Sequence, residues 1–363
     1  MLIGIKGGAK RRLAALRPLA GRACGLGAGP GRRQLGPPAA CMHPSPCCAA
    51  LRAQRHKARG HPYTPVMTRT TPPPPVDLPT LFPWLTAYAR TTVRLHPRPG
   101  TPGAQDSHIG GPLLWPAGEA WPTCGEPIIN DGNLEPWRPA SPIPMIGVAQ
   151  FFARDIPEIP YPDNTDLLQV LWCPAKHQQE DLWGPVVRLI WRRTADLATV
   201  PTETHGPGFT APYPSSVSLA DDDYLPRPCV LHPERVTEYP DCEELPEDLQ
   251  SALNEWDRAN SDYQYLLSIA PGCKIGGWET WHLTDMYELP CTTCGTETEP
   301  LLQLDTTEWD GGSGPRWQPL EDRDHAPVDW EDEPTSLVLG RWGRLTVFLC
   351  PVSAEHGFRM AMQ

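Results

Sequence analysis

Apolar residues along this chain gather in short runs rather than long periodic stretches. DLLQVLWCP (166–174) and GRLTVFLCP (343–351) are aliphatic, β-branched and aromatic over a few positions and stop at a proline. They predict buried strands, because proline cannot continue a hydrogen-bonded ladder. MIGVAQFF (145–152) and PLLQLD (300–305) predict two more. Helical spacing is confined to two places. Pro83 opens WLTAYARTTVRL, with Leu85, Tyr88, Ala89 and Thr92 on one face, and proline suits the first helical turn. Pro246 opens EDLQSALNEWDRAN, with Leu249, Leu253 and Trp256 spaced four and three apart and Glu247 and Asp248 in the turn whose dipole they complement. The second segment predicts a helix over about 246–259. The pattern as a whole predicts an α+β, β-rich fold of mainly antiparallel sheet with few helices.

Composition supports that reading: 47 prolines and 31 glycines in 363 residues disfavour long helical bundles, while 14 tryptophans can still build a core. No apolar run is long enough to span a bilayer, so no membrane association is expected.

The runs also repeat. HIGGPLLW (108–115) matches KIGGWETW (274–281), each an x-I-G-G-x-x-x-W segment; Gln150 and Gln303 then sit in apolar runs, and DLLQVLWCP matches GRLTVFLCP. Three landmarks in the same order predict two homologous pseudo-repeats, 98–200 and 263–363, joined by a connector, 201–262. Gly110-Gly111 and Gly276-Gly277 let the backbone turn sharply. Trp115 and Trp281 are expected to pack over those bends, and Gln150 and Gln303 to hydrogen-bond to backbone.

Charge divides the chain. From Met1 to Val76 there are 13 Lys or Arg and no acid; the remainder carries 18 bases and all 43 acids, a net charge near −25. Residues 1–75 therefore read as a disordered, basic, Pro/Gly/Ala-rich tail on a body covering 76–363. The tail has several readings: an arm for nucleic acid or anionic lipid, an export signal opening at Arg11-Arg12, a transit peptide, or sequence upstream of a start at Met67. The acidic body is not expected to bind nucleic acid, whose affinity comes largely from cations. Of twelve cysteines, eight lie scattered through the body, too dilute for a disulfide scaffold, which implies a reducing, cytoplasmic setting.

The second pseudo-repeat carries an insertion, DTTEWDGGSGPRWQPLEDRDHAPVDWEDEP (305–334), rich in acids and holding Trp309, Trp317 and Trp330. Acids beside aromatics form a patch suited to a basic partner. Trp309, Trp317 and Trp330 are the expected contacts, with Asp329, Glu331, Asp332 and Glu333 steering; the alternative is that the tryptophans fold back as loop anchors.

With these motifs in view, the chain resembles the bacterial YwqG-like family, a domain of unknown function. The resemblance rests on the SHIGGP…WP opening (107–116), PMIGVAQF, DLLQVLWCP, KIGGWETW, CTTCG followed by LLQLD, and GRLTVFLCP, and it covers about 98–363 without the connector. It implies a duplicated, β-rich α+β fold and no settled activity. The second half is also distantly similar to the programmed-cell-death-2/Tsr4 group, whose members chaperone a basic ribosomal protein; that similarity suggests a binding role.

Candidate chemistry is sparse. Cys291-Thr-Thr-Cys294-Gly295 can offer two thiolates to Zn²⁺, and a structural site would need two further ligands, with Cys273, Cys350, His282 and Cys124 available. A redox dithiol and a plain turn are the other readings of that motif. No G-x-S-x-G, H-E-x-x-H or phosphate-loop motif occurs. His108 becomes Lys274 in the second pseudo-repeat, which argues against a base common to both. Asp221, Asp222 and Asp223 lack the alternating spacing of a calcium loop. The expected function is a non-enzymatic protein-binding module, chaperone-like or inhibitor-like, for a basic partner. The alternative is an enzyme whose site lies in the seam between the pseudo-repeats, with His108 and Trp115 lining it.

Overall fold

The computed structural model describes residues 68–363 except 131–132, 180–181, 198–201, 206–220, 261, 282–283 and 324–330. All of them fall in one compact unit, Tyr63–Gln363. The basic tail up to Met67 lies outside the described residues. Residues 69–71, placed in the tail by composition, are held by the body: Arg69 pairs with Asp322 at 3.0 Å, and the Thr71 amide donates to Glu234 at 2.8 Å.

Twelve strands form two six-stranded sheets. In chain order they are β1 (Arg90–Arg94), β2 (Arg98–Pro99), β3 (His108–Ile109), β4 (Ile146–Phe152), β5 (Leu167–Trp172), β6 (Val187–Arg192), β7 (Cys229–Val230), β8 (Glu234–Glu238), β9 (Lys274–Gly276), β10 (Glu299–Asp305), β11 (Arg344–Leu349) and β12 (Phe358–Met362). The first sheet runs β2-β7-β3-β4-β5-β6 and the second β8-β1-β9-β10-β11-β12, every pairing antiparallel. The four apolar runs become β4, β5, β10 and β11, as their pattern predicts. Strands β4 and β5 are buried at every position, which explains their unbroken apolar character. One apolar cluster draws on both sheets, including Val148, Val170 and Trp172 from the first and Ile275, Leu302 and Val347 from the second.

The landmarks take matching positions. His108 pairs with Gln150 across β3 and β4, and Lys274 pairs with Gln303 across β9 and β10. The sheets do not follow the expected boundaries of 98–200 and 263–363. Strand β1 joins the second sheet and β7 the first, so segments 90–99 and 229–238 each cross from one sheet to the other. The stretch 201–262 is therefore more than a connector: it supplies β7 and β8.

The helix predicted near 246–259 runs over Glu247–Asn260 and buries Leu253 against Leu78, Leu85 and Tyr263. The helix predicted from Pro83 stops early. A short 3₁₀ turn covers Pro83–Tyr88, and Arg90–Arg94 is strand. Thr91, Thr92 and Val93 are β-branched, and pairing with β8 and β9 on both sides overrides the helical spacing. No helix among the described residues is long and apolar enough to cross a membrane.

Candidate metal centre

The Gly-Gly turns are structural. Gly110 and Gly277 have φ of +72° and +81°, and a Cβ there would strike the Arg227 carbonyl and the Glu238 carboxylate respectively. The residue before each Ile-Gly-Gly closes the turn. His108 Nδ1 accepts from the Gly111 amide at 3.1 Å, and its Nε2 donates to the Pro112 carbonyl at 3.0 Å. Lys274 Nζ donates to the Trp278 carbonyl at 2.8 Å and to both Glu238 oxygens at 3.0 Å. Burial lowers the His108 pKa to about 4, so the ring is neutral at physiological pH. Histidine and lysine thus do the same work, each donating to the carbonyl four residues on. Gln150 is equally engaged: its oxygen accepts from the Leu114 amide at 2.8 Å and from Gln169 Nε2 at 2.9 Å. Gln303 Nε2 donates to the Gly272 carbonyl at 2.8 Å. Trp115 is buried, with Nε1 donating to the Glu119 carbonyl at 3.1 Å, and Trp281 packs on Leu289 and Phe348.

Among its described residues, the acidic insertion keeps Trp309 and Trp317 off the surface. Trp317 and Trp309 are buried, at 1% and 8% exposure, and Glu331 is buried too. Asp332 and Glu333 are half-buried, and their carbonyls accept from Glu308 and Ser336 amides at 2.7 and 3.3 Å. Trp330 and Asp329 lie outside the described residues. The composition does grip a basic element, but that element is the chain's own 94–98 segment. Arg94 lies 5.4 Å from the Trp317 ring and Arg98 lies 5.6 Å from the Trp309 ring. Asp322 takes both Arg98 and Arg69, and Arg94 Nη1 donates to the Trp317 carbonyl at 3.0 Å. A buried guanidinium needs carboxylates and π-faces around it, and the insertion supplies both.

A cleft of about 830 Å³ is lined by Arg90, Glu158, Tyr161, Gly276, Gly277 and Cys350 among others. His108 and Trp115 are not among its walls.

The strongest constellation stands beside that cleft. Cys291, Cys294, Cys350 and His356 place four donor atoms within 4.8 Å of one another. Cys294 Sγ lies 3.4 Å from Cys350 Sγ, and Cys350 Sγ lies 3.4 Å from His356 Nδ1. A tetrahedral zinc with Zn–S of about 2.3 Å and Zn–N of about 2.0 Å has edges of about 3.5–3.8 Å. The two 3.4 Å separations are close to such edges, and the remaining donor pairs lie within 4.8 Å.

The sequence builds it locally. The Cys291–Gly295 turn closes through the Gly295 amide to the Cys291 carbonyl at 2.8 Å, with Gly295 at φ +75°. The Thr293 amide points at Cys291 Sγ at 3.4 Å. Cys350 directly follows β11, and His356 closes a 3₁₀ turn, Ala354–His356, that leads through Gly357 at φ +82° into β12. Thr293 Oγ1 donates to the His356 carbonyl at 3.2 Å and joins the two turns. Hydrogen bonding with Thr296 lowers the Cys294 pKa to about 6, which favours thiolate near neutral pH. A lone Cys350–His356 pair would read as nucleophile and base. Two further thiols at the same point give a four-donor group that could hold a metal ion.

Of the candidates to complete the knuckle, Cys350 joins it. Cys273 is buried elsewhere, against the Asp305 carbonyl at 3.8 Å; Cys124 lies beside Cys173 and His177; His282 is outside the described residues. Sequence reasoning missed His356, whose only signal is its place six residues after the strand-ending cysteine.

No protein-family model matches the chain, and no curated protein does. The resemblance to the YwqG-like family accordingly rests on the motifs quoted for it.

Proposed function

We propose that the protein is a zinc-stapled, non-enzymatic binding module. The observation that carries the metal is the Cys₃His donor set, whose four ligands leave no open position, as in structural zinc sites. The ion would tie the Cys291–Gly295 turn to the end of β11 and the start of β12. Purified protein is expected to retain zinc, and Cys350→Ser to lose one equivalent; unchanged zinc in that variant contradicts the site.

A basic protein partner follows from the net charge of the body and one specific feature. A pocket of about 420 Å³ is lined by Asp241, Glu243, Glu244 and Asp257, with Trp281 and Met286 among its apolar walls. Burial, and then Asp241, raise the Glu244 pKa to about 7. A lysine or arginine side chain entering there would relieve that repulsion while its stem covers the aromatic wall. Calorimetric titration with a lysine- and arginine-rich peptide is expected to show binding that weakens with salt and with Glu243→Gln plus Glu244→Gln. Binding indifferent to both would count against the pocket. None of the eight described cysteines is paired in a disulfide, which supports a cytoplasmic setting. The matching sheet orders and registers support a duplicated, YwqG-like unit.

A further inference from the structure

We infer that Cys124, Cys173 and His177 form a second zinc site, a three-donor one, on the first sheet. Their donor atoms lie within 4.8 Å of one another, and all three residues are buried, at 4%, 0% and 1% exposure. His177 Nδ1 stands 2.7 Å from the Pro127 carbonyl, so Nδ1 carries the proton and the Nε2 lone pair faces Cys124 Sγ at 3.9 Å. A ligating histidine is commonly oriented in this way, its second nitrogen bonded to a carbonyl. The free cysteines are not joined in a disulfide.

The placement mirrors the Cys₃His centre. Cys173 follows the last residue of β5 as Cys350 follows the last residue of β11. His177 comes four residues later, and His356 six. Cys124 lies in a short strand (Thr123–Cys124) before β4, as Cys291 lies before β10. One donor is missing, because Cys124-Gly125 stands where the second sheet has a Cys-x-x-Cys. Trp115, Ile128 and Met145 share the cluster that holds both thiols, and this apolar surround strengthens metal–thiolate attraction. Three protein donors leave zinc a fourth position for water or an exogenous ligand, which the closed centre does not have.

The inference extends the zinc reading, and the variants separate the two. Chelator-stripped full-length protein would be titrated with Zn²⁺, with Co²⁺ as the spectroscopic probe. Equivalents are assigned by variant because residues 1–67 carry four further cysteines. Cys124→Ser and His177→Gln are each expected to lose one equivalent, the weaker of the two body sites, and to keep the one that Cys350→Ser removes. Full wild-type binding in both variants, with native circular dichroism, would overturn the site; a Cys350→Ser protein that loses nothing would overturn only the Cys₃His centre. Cadmium NMR of the wild-type protein guards against a folding failure. A two-sulfur resonance distinct from the three-sulfur one is expected, and its absence also overturns the inference.

Discussion

Buried polar side chains close the turns of this fold, and several are charged. Lys274 and Glu238 are both fully enclosed, and Glu238 also accepts from the Ala270 amide at 2.9 Å. Glu279 is enclosed as well, with Gln363 Nε2 donating to it at 3.0 Å. Burial raises its pKa from 4.5 to about 7. The folded state therefore holds a proton that the unfolded chain releases near pH 4.5. Its stabilising effect is complete below pH 4.5 and is lost as pH rises through 7, a change of about 3 kcal/mol. Glu279→Gln stays neutral throughout. Denaturant unfolding is expected to show that much less decline for the variant than for the wild type between pH 4.5 and 7; parallel pH profiles would contradict it. At this scale the sequence was only partly legible. The exchange of His108 for Lys274 spoke against shared catalysis, but their common role needed the acceptor, a backbone carbonyl that no side-chain pattern reveals.

The elements that were legible are those whose two faces are both buried. VAQFF, LLQVLW, LLQLD and LTVFL could hardly be anything but strands, because no polar face interrupts them. Arg90–Arg94 was not legible: a proline start and helical spacing before it imitate a helix, and its strand character comes from two partners distant in sequence. The insertion shows the same limit. Its acids and tryptophans suggested contacts for a basic partner, whereas Trp309 and Trp317 are buried beside the chain's own Arg98 and Arg94, as the loop-anchor alternative had it. Because Trp317 packs against Ala270 and beneath Arg94, Trp317→Ala should cost about 3–5 kcal/mol in urea unfolding. A Trp317→Ala protein as stable as the wild type would return the insertion to the surface.

Among the described residues, two antiparallel sheets share one apolar core, and Cys291, Cys294, Cys350 and His356 converge where β11 gives way to β12. Half of the Cys₃His set was readable from Cys291-x-x-Cys294. The other half depends on β11 running beside β10, which brings Cys350 and His356 back to the knuckle from more than fifty positions away. In this account the metal fastens the outer edge of the second sheet, where β12 pairs with β11 alone. Hydrogen exchange read by mass spectrometry, with and without a zinc chelator, tests that most directly. Chelation is predicted to release protection at residues 289–296 and 349–362 while β1 and β8, which hold no proposed ligand, stay protected. Protection unchanged at 349–362 after the zinc is stripped would contradict the account.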